Sequence, residues 1–331
     1  MSRVLITGGA GFIGFSLAHY LLEKGGYQIV LTDNFARGRR DPDLEALLKD
    51  KNVSFQPCDL TDRGQLEALG KDFDFVYHLA AIIGVKNVMA YPDQVLRVNA
   101  LTVLYLLDFF KDSKKLQKIF FSSTSEVYAG AVKHYNAPVP TPENTPLVLD
   151  DIKRRRTSYA LSKMFGECVC FTYAAQYGLP VVVGRYHNVY GPRMGFDHVI
   201  PESFQKIARS SSVDVPSAGH SRAFCYIGDA ADMTVRLTQD PRSTGEVFNI
   251  GNPTEEIRMG DLVKIIAAVQ DRQIKINPLP AAPGSPARRC PDISLWESMF
   301  GQRPFVSLRQ GVEKTFAWYK NRLDEETPLS H

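Results

Sequence analysis

Val4-Leu5-Ile6-Thr7-Gly8-Gly9-Ala10-Gly11-Phe12-Ile13-Gly14 joins a short apolar run to a helical one through closely spaced glycines. The first run reads as a buried strand, and Phe15 to Lys24 after it has the spacing of an amphipathic helix. Gly8 and Gly9 permit a tight turn, Gly11 lets the backbone approach a diphosphate, and Gly14 lets the helix pack close to the strand. Diphosphate oxygens then meet bare N–H groups at the positive end of the helix, with Phe12 and Ile13 part of the same site. Gly9-x-Gly11-x-x-Gly14 alone is a weak signal, and the strand before it and the helix after it make it a dinucleotide motif. A second apolar run, Gln28 to Thr32, ends in Asp33, about 20 residues on, where a carboxylate accepts hydrogen bonds from an adenosine ribose. That carboxylate repels a 2′-phosphate, so the expected cofactor is NAD rather than NADP. Arg37, Arg39 and Arg40, just downstream, suit a phosphate as an alternative, and a solvated basic loop is the commoner explanation for such a cluster.

Apolar runs alternate with helical stretches through the first half: Val53 to Gln56, Phe73 to Leu79, Lys118 to Phe121 and Val181 to Arg185 read as strands of a parallel, doubly wound sheet. Asp93 to Asp112 and Thr157 to Tyr177 read as long helices between them. After Arg185 the elements shorten and loops such as Gly191-Pro192 and Pro278 to Pro286 intervene. The expected fold class is α/β: an NAD-binding Rossmann domain over residues 1–185 and a smaller C-terminal substrate-binding cap over 186–331, with some of its segments returning to the Rossmann domain.

The 331 residues are 44% hydrophobic and 23% charged, as in an ordinary globular protein, and a net charge of +3 gives no case for nucleic acid or membrane partners. Five cysteines without paired C-x-x-C spacing indicate neither a disulfide framework nor a zinc site, and no metal is expected. Cys168 and Cys170 are expected to pack within a helix, and Asp324 to His331 to fray. No apolar run reaches the roughly 18 residues of a membrane span, and the opening strand is too short for a signal peptide, so the expected location is the cytoplasm.

Tyr159-Ala160-Leu161-Ser162-Lys163 puts a phenol and an amine at i and i+4, on one helix face. A phenol near pKa 10 is a poor base at neutral pH, and the reading is that the adjacent ammonium and a bound nicotinamide both favour phenolate. Ser122-Ser123-Thr124-Ser125-Glu126-Val127-Tyr128 follows the strand Lys118 to Phe121, at the carboxyl end where ligands of such sheets sit.

With these stretches, Asp33-Asn34, Asp59-Leu60, His78-Leu79-Ala80-Ala81, Asn99 and Arg185-Tyr186-His187-Asn188-Val189-Tyr190-Gly191-Pro192, the chain resembles the extended short-chain dehydrogenase/reductase family. The similarity runs from Arg3 to about Tyr319 and is to the nucleotide-sugar epimerases, dehydratases and decarboxylases. It implies that Asp59 and Leu60 flank the adenine, that Leu79, Ala80, Ala81 and Asn99 line the cofactor, and that Tyr159 and Lys163 hold the nicotinamide ribose. Thr124 would bond the sugar O4 and relay its proton to Tyr159. Lys86, Asn188 and Arg222, with one of Arg288 or Arg289, would bind a nucleotide-diphosphate sugar, arginine suiting phosphate through its planar fork. The resemblance also implies a homodimer through the two long helices, whose Tyr105, Phe109, Cys170 and Tyr173 exceed one core-facing stripe. His187 stands where the family usually has Phe, Ala129 separates Tyr128 from Gly130, and the loop before Arg222 is one residue short.

Such enzymes begin by oxidising the sugar at C4, which makes C5–H acidic and turns a C6 carboxylate into a readily lost β-keto acid group. A 4,6-dehydratase needs an acid beside Glu126, and Ser125 is far too weak. Thr124-Ser125-Glu126-Val127-Tyr128 and Arg288-Arg289-Cys290-Pro291-Asp292 look most like UDP-glucuronate decarboxylases, with Ser125 and Glu126 joining the catalytic set. Ala81-Ile82-Ile83-Gly84-Val85-Lys86 is closer to 4-epimerases, which are the alternative, followed by a 5,6-dehydratase. An NAD-binding sensor without chemistry and an NADPH-dependent carbonyl reductase are readings of other classes. The first conflicts with the intact Thr124, Tyr159 and Lys163, the second with the phosphate-clamp arginines.

Overall fold

The computed structural model describes residues 1–281 and 286–324. At its centre lie β1 (Ser2–Thr7), β2 (Tyr27–Thr32), β3 (Val53–Phe55), β4 (Phe75–His78), β5 (Lys118–Thr124), β6 (Val181–Tyr186) and β7 (Val247–Ile250). They form one sheet in the order β7-β6-β5-β4-β1-β2-β3, with every pairing parallel. The order reverses between β1 and β4, and ligands of such sheets bind outside the carboxyl ends there.

Side chains alternate along a strand, so Val4 and Ile6 enter one core and Leu5 the other. The first core is closed by Leu17 and Leu21 of α1 (Phe12–Lys24), the second by Leu106 and Leu107 of α2 (Pro92–Phe110) and Cys170 of α3 (Thr157–Tyr177). Burial on both faces explains why the strands read as continuous apolar runs. Cys170 is fully buried while Cys168 is exposed, so Cys170 does not belong to an outer face of the helix pair.

The chain leaves the sheet after Tyr186, returns as α4 (Ile227–Gln239), which packs beside α1, and again as β7. A third core, including Phe196, Ile200, Phe204, Leu262, Ile266, Val312 and Tyr319, belongs to the smaller unit and draws on helices Val199–Arg209, Met259–Val269 and Leu308–Tyr319. Phe12, at the start of α1, packs against this third core. Arg193 binds Asp41 at 2.7 Å and the Trp318 indole donates to Asp43 at 2.7 Å, tying the cap to the start of the short helix Pro42–Leu47 that follows β2.

Two expectations need correcting. β5 runs on to Thr124, so Ser122, Ser123 and Thr124 are strand residues rather than the loop after one. Lys275–Leu279 is a strand paired with Ser212–Pro216, so Pro278 and Leu279 close an edge strand instead of opening a loop, a place where proline is tolerated. Residues 282–285 of that stretch, and 325–331 of the tail expected to fray, lie outside the described residues. Among the described residues no helix is long and apolar enough to cross a membrane.

Candidate active site

The glycine turn has its shape for steric reasons. Gly8 has φ +69°, and a Cβ there would lie 2.9 Å from the Ala80 nitrogen; one on Gly14 would lie 2.2 Å from the Gly8 oxygen. Helix α1 starts at Gly11 with no side chain capping it, which leaves its first N–H groups for an anion. Asp33, at the exit of β2, accepts from the backbone N–H of Ala10 at 3.1 Å and of Phe35 at 2.8 Å, so its carboxylate is fixed beside the turn. Burial raises its pKa, against the pull of those bonds and of Arg37.

The neighbouring strand ends complete this wall. Asn34 donates to Asp59 at 3.2 Å, and Leu60 is buried under them. The Thr7 hydroxyl accepts from the N–H groups of Leu79 and Ala80, both at 3.2 Å. Asn99 accepts from the N–H of Ile82 at 2.8 Å and donates to its carbonyl at 3.1 Å and to the Ser162 hydroxyl at 3.0 Å. It braces the segment holding Ala80 and Ala81 against α3, its side-chain amide engaged with the protein. Bare N–H groups, a close-packed glycine cradle and a fixed carboxylate together fit NAD.

Helix α3 carries Tyr159 and Lys163 one turn apart, beside the end of β5. Burial drives the Tyr159 phenol up to about 12, while the neighbouring Thr124 hydroxyl and the charge of Arg37 pull the other way. Lys163 points elsewhere: its amine donates to the Ser122 carbonyl at 2.8 Å, 5.0 Å from the Phe121 ring centroid, and burial lowers it to about 8. The expectation that the lysine ammonium favours phenolate is therefore corrected, because the amine is turned to the backbone of β5. Thr124 also accepts from the Glu126 N–H at 3.3 Å, which starts the single turn Ser125–Tyr128 and buries Ser125.

From the cap, Arg289 forms a two-pronged pair with Glu126, at 2.6 and 3.0 Å, and Arg156 approaches the same carboxylate to 3.8 Å. Burial alone would raise the Glu126 pKa, but Arg289, Arg156 and Arg222 outweigh it and hold the group below the usual carboxylate range. Strand register makes Arg222 and Arg289 direct neighbours. Arg222 donates to the carbonyls of Ser221 at 2.7 Å and Pro286 at 2.8 Å, and burial, then Arg289, lower it to about 10. Arg288 faces outward to Glu256 at 2.7 Å and the Val139 carbonyl at 2.6 Å, so Arg289 is the member of the pair at the site. Asn188, at φ +39°, donates to the Ala223 carbonyl at 3.0 Å and staples the exit of β6 to the cap. Lys86 reaches Asp197 at 2.5 Å.

Sequence reasoning missed several supports. Arg185 pairs with Glu167 at 2.6 Å in the interior and donates to Tyr128 at 2.7 Å, bracing β6, α3 and the Ser125 turn; Glu167, four residues after Lys163, was the available signal. His187 bonds Asn249 of β7 at 2.9 Å, and burial pushes it down to about 4. Arg37 and Arg40 after Asp33 are exposed, as expected of a solvated loop; Arg40 pairs there with Glu45 at 2.5 Å, and Arg37 is near enough to Tyr159 for their charges to interact.

A parallel sheet with a glycine turn at its switch point, an acid fixed beside that turn and a Thr–Tyr–Lys set defines a dinucleotide-dependent enzyme built for proton and hydride transfer. Residues 4–251 match the NAD dependent epimerase/dehydratase family, and the chain belongs to it. It is 32% identical to UDP-N-acetyl-alpha-D-glucosaminuronate decarboxylase of Bacillus cytotoxicus, covering 96% of this chain and 98% of that protein. It is 31% identical to UDP-glucuronic acid decarboxylase 3 of Arabidopsis thaliana, covering 97% and 90%. Among solved structures, UDP-glucuronic acid 4-epimerase from Bacillus cereus, in complex with UDP-glucuronic acid and NAD, superposes with a TM-score of 0.86 at 28% identity, covering 96% and 99%. The protein is an NAD-dependent enzyme.

Proposed function

We propose that the chain decarboxylates a UDP-uronate through a 4-keto sugar. The observation that carries this reading is the charge around Glu126: Arg289, Arg156 and Arg222 face one carboxylate, an excess of positive charge at the sugar end of the site. Like charges on adjacent strands are unfavourable, so a site that keeps them is suited to an anion carrying both a diphosphate and a carboxylate. The decarboxylases of similar sequence support the same choice.

In this reading Thr124 and Tyr159 take the O4 proton of the sugar, with Lys163 holding Ser122 and the ribose side of the pocket. Bound NAD supplies the hydride acceptor for C4, a positive nicotinamide ring beside Tyr159, and the hydride that returns to C4. Once C4 is a ketone, the C5–C6 bond breaks, its electron pair passes to the enolate and carbon dioxide leaves. Arg289 is assigned to orient the departing carboxylate, and Ser125 and Glu126 to relay a proton from water to C5, since Glu126 itself is held ionised. Arg222, Asn188 and Lys86 are assigned to the nucleotide diphosphate, Asn188 by holding the cap strand of Arg222 in place. A 4-epimerase is the second reading, favoured by the solved epimerase complex.

Incubation with NAD and a panel of UDP-uronates and neutral UDP-sugars, followed by mass, decides. Loss of carbon dioxide from a uronate is the expected outcome; isomerisation at unchanged mass, loss of water, or NAD binding without turnover would each replace the reading by epimerase, dehydratase or sensor.

We assign α2 and α3 to a homodimer face, on which Leu96, Phe165 and Tyr177 are exposed. A monomeric mass by light scattering at micromolar concentration overturns this. Five free thiols fit a reducing compartment, and the proposed location is the cytoplasm.

A further inference from the structure

Arg37 makes no hydrogen bond or ion pair among the described residues, unlike the nearby Arg40 and Arg193. Its Nη2 lies 3.8 Å from the position a Cβ would take on Gly84, so the side chain reaches from the loop after β2 to the loop after β4. Its charge is felt by Asp33 at one end of the cleft and by Tyr159 at the other, with Asp197 and His198 of the cap also near. The residue keeps exposed surface, yet its guanidinium is crowded enough for desolvation to lower its pKa. An exposed guanidinium that spans the loops after β2 and β4 with no partner in the described fold is placed to take an anion lying between them.

Asp33 marks the adenosine ribose and Tyr159 the nicotinamide end, so a group between them lies level with the dinucleotide's diphosphate. Resting on the NAD reading, we propose that Arg37 clamps the cofactor diphosphate from the side opposite the glycine turn. The bare N–H groups at the start of α1 hold one edge of the diphosphate, and the guanidinium fork holds the other. The arginine that sequence reading set aside as surface charge becomes part of the cofactor site.

The test is calorimetric titration of the full chain with NAD, ADP-ribose and adenosine at two salt concentrations. Arg37→Ala should weaken NAD and ADP-ribose alike, by about tenfold, with a smaller salt dependence, and leave adenosine unchanged. Arg37→Lys should recover part of the loss, since it keeps the charge but not the fork. An unaltered melting temperature is expected, because no bond of the described fold uses this guanidinium. ADP-ribose affinity within twofold of wild type overturns the clamp, as does an equal loss for adenosine, which would point to the ribose. An effect confined to 2′-phosphorylated ligands would instead make Arg37 a 2′-phosphate contact. Wild-type protein that binds no NAD would sink the cofactor reading itself, a result distinct from all of these.

Discussion

The cofactor half and the sugar half of the site are built by different means. Around the glycine turn the groups on offer are uncapped backbone N–H groups and a carboxylate held by two backbone N–H groups, all set by local chain geometry. Around Glu126 they are long side chains from distant segments that engage one another or the backbone: Glu126 with Arg289, Lys86 with Asp197, and Arg222 with the carbonyls of Ser221 and Pro286. The first half is shaped in advance for one ligand. If the second binds the sugar nucleotide as proposed, it exchanges its internal partners for those of the substrate, so its specificity would rest on charge balance and change with few substitutions.

The sharpest break between the halves is expected from Tyr159→Phe. Turnover should fall by about two to four orders of magnitude while NAD stays bound, because only the proton acceptor is lost. Near-normal turnover would remove Tyr159 from the mechanism. Glu126→Gln comes next, with a loss of about ten- to a hundredfold, since it breaks the pair with Arg289 and removes a proton-transfer group. In a decarboxylase, single-turnover absorbance should show reduced cofactor accumulating; a 4-epimerase should show it only transiently, with turnover little reduced. No change in either would leave Glu126 as a structural partner of Arg289.

On the cofactor side, Asp33→Ala should weaken NAD by about tenfold and relax discrimination against NADP, read by titration with both. An unchanged preference would mean that the carboxylate serves only Ala10 and Phe35. The smallest effect concerns acid. His78 in the cofactor half and His187 in the sugar half are pushed by burial to about 3 and about 4. Both are bases lowered by folding, so their stabilising contribution is whole above the ordinary value near 6.5 and is lost as pH falls towards the folded values. His187→Phe should remove its share, at most about 2 kcal/mol at pH 5, and make the melting temperature fall less between pH 7.5 and 5. An identical fall in wild type and variant would show that His187 carries none of the linkage.

The same contrast explains what could be read in advance. The glycine turn, Asp33 and the Tyr159–Lys163 helix are contiguous signals, each decided within a few residues, and the strands were visible because both faces are buried. Arg289 opposite Glu126, and Arg222 beside Arg289, depend on a cap strand placed by the whole fold. No local pattern announces that Lys163 bonds Ser122 instead of assisting Tyr159, since strand and helix are joined only in three dimensions. The return of the chain to the sheet could be expected, but Ile227–Gln239 and Val247–Ile250 could not be picked out, because short elements inside a loop-rich half carry little periodicity.

That late return bears on how the protein is made. The strand β6 is buried along its length, and its outer edge is covered by β7, which is synthesised some sixty residues later, after part of the cap. During translation the six-stranded sheet therefore carries an open, apolar edge of the kind that invites pairing with other chains. Premature termination between β6 and β7 leaves a product that cannot close that edge. Production should accordingly be more sensitive to slow or interrupted translation of this interval than of the tail after Tyr319.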